Sequence, residues 1–235
     1  DESSFVMQLE DVEIINGYVT YIDEEGGMTA KLADWNGNFN GDLSAAKSVL
    51  KTKSVVTSLS YSMGKLPVLV DVKLEGDMEI QADMNTSTYT FLNNKLKLNA
   101  VEASLDGWVQ MPDTTKMVMD LKLNTDKVAF KDLLSLLPGL YAADFKDMKT
   151  SGNLTMAATV KGTMEGENYP AFDVKLAVDK GMFQYPSLPK SVTDININSH
   201  ISSKGGSLDN TIVDISKFHF NMGGNPFDIT AYVAT

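Results

Sequence analysis

Apolar and polar residues alternate along most of this chain, and the longest such run lies between residues 66 and 82. Leu66, Val68, Val70, Val72, Leu74, Met78, Ile80 and Ala82 hold even positions with Gly76 as the only gap, and Asp71, Lys73, Glu75, Glu79 and Gln81 stand between them. Successive strand side chains point to opposite faces, so the run predicts a strand with one apolar and one polar face. One strand of this length would span about 55 Å, against a usual five or six residues. Two strands joined at Glu75-Gly76-Asp77 would keep the same parity and remain an open reading.

Other segments repeat the pattern. Met117, Met119, Leu121 and Leu123 alternate with polar or smaller neighbours, as do Leu154, Met156, Ala158 and Val160. Ile195, Ile197 and Ile201 follow, and Phe227, Ile229, Ala231 and Val233 close the chain. Phe172, Val174, Leu176 and Val178 lead to Asp179-Lys180-Gly181, after which Phe183 and Tyr185 resume the alternation. That stretch predicts a hairpin turning at Asp179–Gly181. The phase slips near Glu10-Asp11, Asn99-Ala100 and Ser216-Lys217, and a slip exchanges the faces unless one residue is bulged out, so bulges are expected there.

One segment departs from the period of two. In FKDLLSLLPGLY, Phe130, Leu133, Leu134, Leu137 and Leu140 recur at helical spacing, with Thr125 or Asp126 as a cap and Pro138 as a stop. One short helix cannot cover a sheet of ten or more strands. A loose repeat, polar-Gly-bulky-apolar-polar, recurs at Asn16-Gly17-Tyr18, Asp106-Gly107-Trp108, Ser151-Gly152-Asn153 and Lys180-Gly181-Met182. Its unequal spacing suggests repeated hairpins and not a solenoid.

Charge then narrows the chemistry. The net charge is −11 and all twenty basic residues are lysine. A basic stripe to neutralise phosphates is missing, so nucleic acid is not an expected partner. The absence of arginine removes the bidentate forks that best hold phosphate or carboxylate. With no cysteine, disulfides and thiolate metal sites are excluded. No apolar run is long enough for a spanning helix. The opening FVMQLEDVEII reads as strand at once, with no signal peptide, so the chain is expected to be a segment of a longer protein.

Catalytic signatures are not found in the sequence. His200 and His219 sit in strand-like runs and read as structural or solvated. DWNGNFNGD (34–42) fails the spacing of a calcium loop, because neither counting frame supplies both the sixth-position glycine and the twelfth-position glutamate. Acids such as Glu24, Glu25 and Asp83 fall in polar turn regions, and Asn85 and Asn153 are glycosylation sequons by pattern only. Thirteen methionines fit a core or an adaptable apolar surface. The expectation is a non-enzymatic protein with no cofactor and no metal.

FKDLLSLLPGLYAADFKDMKTSGNLTMAATVKGTM (130–164) and PAFDVKLAVDKGMFQYPSLPKSVTDININSHISS (170–203) resemble the C-terminal region of AsmA-like outer-membrane assembly proteins. LNNKLKLNAVEASLDGWVQM (92–111) and GGNPFDITAYV (223–233) extend the likeness, which runs from about residue 12 to the end. It rests on hydrophobic rhythm with a few Gly and Pro marks. The resemblance implies an envelope protein of Gram-negative bacteria, facing the periplasm on a chain held in the inner membrane by an N-terminal helix that this sequence lacks. Larger relatives such as TamB form long β-sheet grooves that carry lipid between membranes.

Pattern and resemblance together set the expectation. The fold is mainly β: a long, twisted antiparallel sheet curled into an elongated groove, with one or two short helices, and residues 1–235 forming one such segment. The expected function is shielding of lipid acyl chains in outer-membrane assembly, lipid transport and lipid homeostasis, with phospholipid or another acyl lipid as ligand and envelope proteins as partners. The residues expected to face lipid are Met117, Met119, Leu121, Leu154, Met156, Val174, Leu176, Val178, Phe183 and Tyr185. The alternatives are a structural or adhesive β-sandwich module, in which two apolar faces close on each other, and a closed lipid carrier.

Overall fold

The computed structural model describes residues 11–24, 27–42, 46–64, 66–125, 127–136, 148–185 and 189–234. Nearly every alternating run is a strand. The first seven are β1 (Asp11–Asp23), β2 (Met28–Asn40), β3 (Lys47–Met63), β4 (Leu66–Asp83), β5 (Thr88–Leu98), β6 (Val101–Gln110) and β7 (Lys116–Asn124). After them come β8 (Val128–Ala129), the helix α1 (Phe130–Leu134), β9 (Lys149–Glu165), β10 (Ala171–Gln184) and β11 (Val192–Ser203). A single 3-10 turn (Leu208–Asn210) precedes β12 (Thr211–Met222) and β13 (Asn225–Ala234). All thirteen strands belong to one antiparallel sheet, in which neighbours in sequence are neighbours in space and β7 lies beside β9. The two-residue β8 pairs with β9 beyond the end of β7.

β4 is one strand of 18 residues, so Glu75-Gly76-Asp77 is no turn. Its phase is nonetheless broken. Val72 faces Leu59, but Leu69 and not Val70 faces Tyr61, because Asp71 takes a left-handed conformation (φ 52) and is bulged out. The expected bulge at Ser216-Lys217 is present, between the pairs Ile215–Ala231 and Phe218–Ile229.

Two expectations exchange places. Asp179–Gly181 is not a hairpin turn: β10 runs straight through it, with Lys180 left-handed (φ 50) and Gly181 facing Ile195. Asn99-Ala100 is not a bulge but the turn between β5 and β6, with Asn99 left-handed (φ 53). Glu10 lies outside the described residues. The polar-Gly repeat marks close approach inside strands rather than hairpin ends. A Cβ on Gly107 (φ 118) would stand 2.0 Å from the Asp120 carbonyl oxygen, and one on Gly152 would stand 2.5 Å from the Gly181 Cα. Only glycine fits such approaches.

The helix covers only Phe130–Leu134, and Leu137, Pro138 and Leu140 lie outside the described residues. Thr125 does not cap it. Its N–H donates to the Met156 carbonyl at 2.9 Å, and its Oγ1 accepts from the Met156 N–H at 2.8 Å. Thr125 thereby carries the β7 edge across to β8. Thr125→Val should cost about 1–3 kcal/mol in urea unfolding, because the part-buried Met156 N–H loses its side-chain acceptor; an unchanged midpoint would mean that the backbone bond alone makes the joint.

The sheet is curled, with its apolar face inside. Val72 and Leu154 are each 1% exposed although no second layer of strands covers them among the described residues. Burial raises the Tyr61 phenol pKa, and the Tyr169 phenol, in the link between β9 and β10, raises it further. The outer face carries ion pairs between direct cross-strand partners, including Lys47–Asp83, Lys51–Glu79, Lys53–Asp77 and Lys161–Asp120. Exposed pairs of this kind add little stability but favour one register over a slipped one.

Candidate functional site: the apolar trough

Two lines of cross-strand partners, joined in a buried cluster, cross the inner face. From β1 the first passes through Gly17, Trp35, Val56, Leu74, Leu98 and Val101. Val101 and Val128 belong to the same buried cluster, and from Val128 the second line runs through Leu154, Val178, Ile197, Phe218 and Ile229 to β13. A parallel row holds Leu105, Leu123, Ala158, Val174, Ile201, Val213 and Val233. No charged residue enters either row. The twelve strands crossed make the path roughly 50 Å along the sheet at about 4.8 Å per spacing.

Most residues expected to face lipid share this face. Leu154, Met156, Val174, Leu176 and Val178 meet as direct partners or same-face neighbours on β9 and β10. Met117, Met119 and Leu121 join them through pairing with Met164, Gly162 and Val160. The Lys180 bulge shifts the parity by one residue, so Phe183 also packs against the inner cluster. Tyr185 lies half-buried just beyond the end of β10.

Burial divides these residues into two kinds. Leu154 and Val178, at 1% and 4% exposure, form a dry centre with Val101, Val128, Phe130, Val192 and Ile195. Leu176 and Met156 are half-buried at its margin. Towards both sheet edges the inner face opens, and Ile229 is 45% exposed. Aromatic rings gather near these mouths: Phe220 stacks on Phe227 at 5.0 Å, and Trp35 meets Phe39 edge-on at 5.7 Å.

Leu32, Val56, Val72 and Leu98 extend the trough through the N-terminal half of the sheet, beyond the residues expected to face lipid. Polar groups interrupt it there. Asn94, 1% exposed, accepts the Glu79 N–H at 2.6 Å and braces the bulge between β4 and β5. Its Nδ2, the Trp35 Nε1 and the Ser48 Oγ are buried without a partner among the described residues.

The polar side chains among the described residues are largely engaged across neighbouring strands. A concavity of about 820 Å³ lies beside the dry centre, where Gly76, Leu96, Ala103 and Val128 of the inner face meet Lys53, Asp77, Lys95 and Asp132 at its rim. His200 Nε2 lies 2.5 Å from Asp173 Oδ2 and His219 Nδ1 lies 2.8 Å from Asp228 Oδ1, each joining neighbouring strands. Tyr18 donates to Asp34 at 2.5 Å, and that bond raises its phenol pKa. Asp34 lies within β2, so the segment 34–42 that superficially resembles a calcium loop is mostly strand. Among the described residues no group of three or more histidines and acids could hold a metal ion, and no helix is long and apolar enough to cross a membrane. The chain matches no family model, no curated protein and no solved structure.

Proposed function

We propose that this chain is a non-enzymatic envelope protein of the AsmA-like kind, which shelters lipid acyl chains in its apolar trough during outer-membrane assembly. The observation that carries the reading is the continuous apolar surface from β1 to β13, two rows of partners joined through a buried cluster, on a sheet with no facing sheet among the described residues. A sandwich would need that second sheet. Holding a 16-carbon tail away from water is worth roughly 12 kcal/mol at about 0.8 kcal/mol per methylene. A trough supplies this with no catalytic group. Lysine without arginine suits a protein that holds tails and leaves headgroups in water. The work would be done in the periplasm, on a chain anchored in the inner membrane, alongside other envelope proteins.

A structural module is the second reading, and one observation favours it: the dry cluster around Leu154 and Val178 is complete without a ligand. Titration with a fluorescent acyl probe separates the two. The trough reading expects saturable binding in the micromolar range that changes little with salt, because apolar contact is poorly screened. Binding that disappears at moderate salt would assign the probe to surface lysines, and no binding would leave the structural module.

A further inference from the structure

A strip of mostly smaller residues runs between the apolar rows of the trough. Ser54, Gly76, Leu96 and Ala103 are successive cross-strand partners, two residues from Val56, Leu74, Leu98 and Val101 on the same face. Thr125 stands one residue past the Ser104–Asn124 pair, opposite Ala103, and its bonds to Met156 carry the strip on to Leu176 and Ser199. Leu105, Leu123, Val174 and Ile201 bound it on the other side.

Two hollows lie along this strip. The concavity of about 820 Å³ follows Ser54, Gly76, Leu96 and Ala103, with Val128 and Ala129 of β8 on one flank. A second, of about 410 Å³, follows Thr125, Met156, Leu176 and Ser199. Asn124 lines both, so they adjoin at the end of β7.

Gly76 makes the larger hollow, and its backbone does not require glycine. Of the described glycines it alone combines a conformation open to any residue with room for a side chain: an added Cβ would find its nearest neighbours, on Leu96 and Met78, at 3.7 Å. Glycine inside a strand weakens it. The missing side chain therefore costs stability and leaves space on the trough floor.

We propose that this strip is the bed of one unbranched acyl chain, laid across the strands from Gly76 to Ser199, and that Gly76 leaves the space that admits it. The inference rests on the reading of the trough as an acyl shelter, and adds the path, the number of chains and the residue that controls entry. No residue of the strip from Ser54 to Ser199 is charged. Its walls stand four residues apart along each strand, about 13 Å, which leaves room for one chain between their side chains and not for two abreast. A peptide laid there would leave its own N–H and C=O groups unpaired, because the strands below spend theirs on one another, whereas a hydrocarbon has none to pair.

The test uses the whole chain and a straight polyene fatty acid whose own fluorescence reports binding, so that no bulky dye enters the strip. The unmodified chain should bind one molecule. Gly76→Leu should lower the affinity at least about tenfold, while its urea midpoint stays level or rises, since the new side chain has room and the strand loses a glycine. Gly76→Ala should show the same midpoint with a smaller loss of affinity. Ser199→Leu, in the second hollow, should weaken binding of the same single molecule. A stable Gly76→Leu protein that binds as tightly as the unmodified chain would overturn this proposal and leave the trough reading standing. Two molecules per chain, each leucine variant removing one, would overturn the single path, and a sharply lowered midpoint in Gly76→Leu would show that the space is not free. An unmodified chain that binds no fatty acid would overturn both the proposal and the reading beneath it.

Discussion

Val178→Asp should destabilise the protein by about 3–5 kcal/mol, because it places a carboxylate with no partner in the driest part of the sheet. Val178 is 4% exposed and stands between Leu154 on one neighbouring strand and Ile197 on the other. Phe130 of α1 belongs to the same buried cluster, so the new charge would stand among apolar side chains. Urea unfolding followed by circular dichroism measures the loss. Thr155→Lys, one residue from Leu154 but on the exposed outer face, should stay within about 0.5 kcal/mol and serves as the control. A Val178→Asp protein as stable as that control would mean that the cluster is open to solvent, and the dry centre of the trough would have to be abandoned.

Leu176→Asp, two residues away on the same face, should behave differently. Leu176 is half-buried, and its partners in the row are Met156 and Ser199. A carboxylate there can turn towards water, so the stability cost should be smaller, about 1–2 kcal/mol. The charge would still lie on the trough floor, where an acyl chain must displace its hydration. Affinity for the acyl probe should therefore fall at least about tenfold, which corresponds to about 1.4 kcal/mol. Unchanged binding in a folded Leu176→Asp protein would move the ligand away from this part of the trough. A stability loss equal to that of Val178→Asp would mean that the core is closed at Leu176 as well.

These two residues also mark how far the sequence could be read. The alternation of Val174, Leu176 and Val178 with Asp173, Lys175 and Ala177 assigns them one face, because side chains in a strand have a period of two whatever surrounds them. It says nothing of why Val178 is dry and Leu176 half open. That difference comes from β8 and α1, which follow β7 and reach β9 through the Thr125–Met156 bonds. Thr125 read as a helix cap because cap and joint use the same hydroxyl, and only its position beside Met156 separates the two.

Turns and bulges failed for a related reason. Lys180-Gly181 and Asn99-Ala100 both couple a residue that accepts a left-handed conformation to a small neighbour, and that local chemistry is common to a tight turn and a bulge. Whether the chain reverses there depends on whether a partner strand continues past it. Ile195 stands opposite Gly181, so β10 goes on, whereas Leu98 pairs back onto Val101 across Asn99, so β5 ends.

The sequence by itself determined the strands, the separation of an apolar from a polar face, and the shortage of helix to cover that face, because each follows from local periodicity. It also carried the lysine-only basic set and the absence of cysteine. Only the tertiary structure decided that the runs join one sheet, that the sheet curls with its apolar face inward, and that apolar rows joined at the Val101–Val128 cluster cross it from Gly17 to Ile229. Register and curl arise from pairing between distant segments and from accumulated strand twist, and bulges such as Asp71 and Lys180 reset the parity so that the apolar face stays continuous. No window of sequence contains both partners of a pair such as Val178 and Leu154, and that is why the trough becomes visible only when the strands stand side by side.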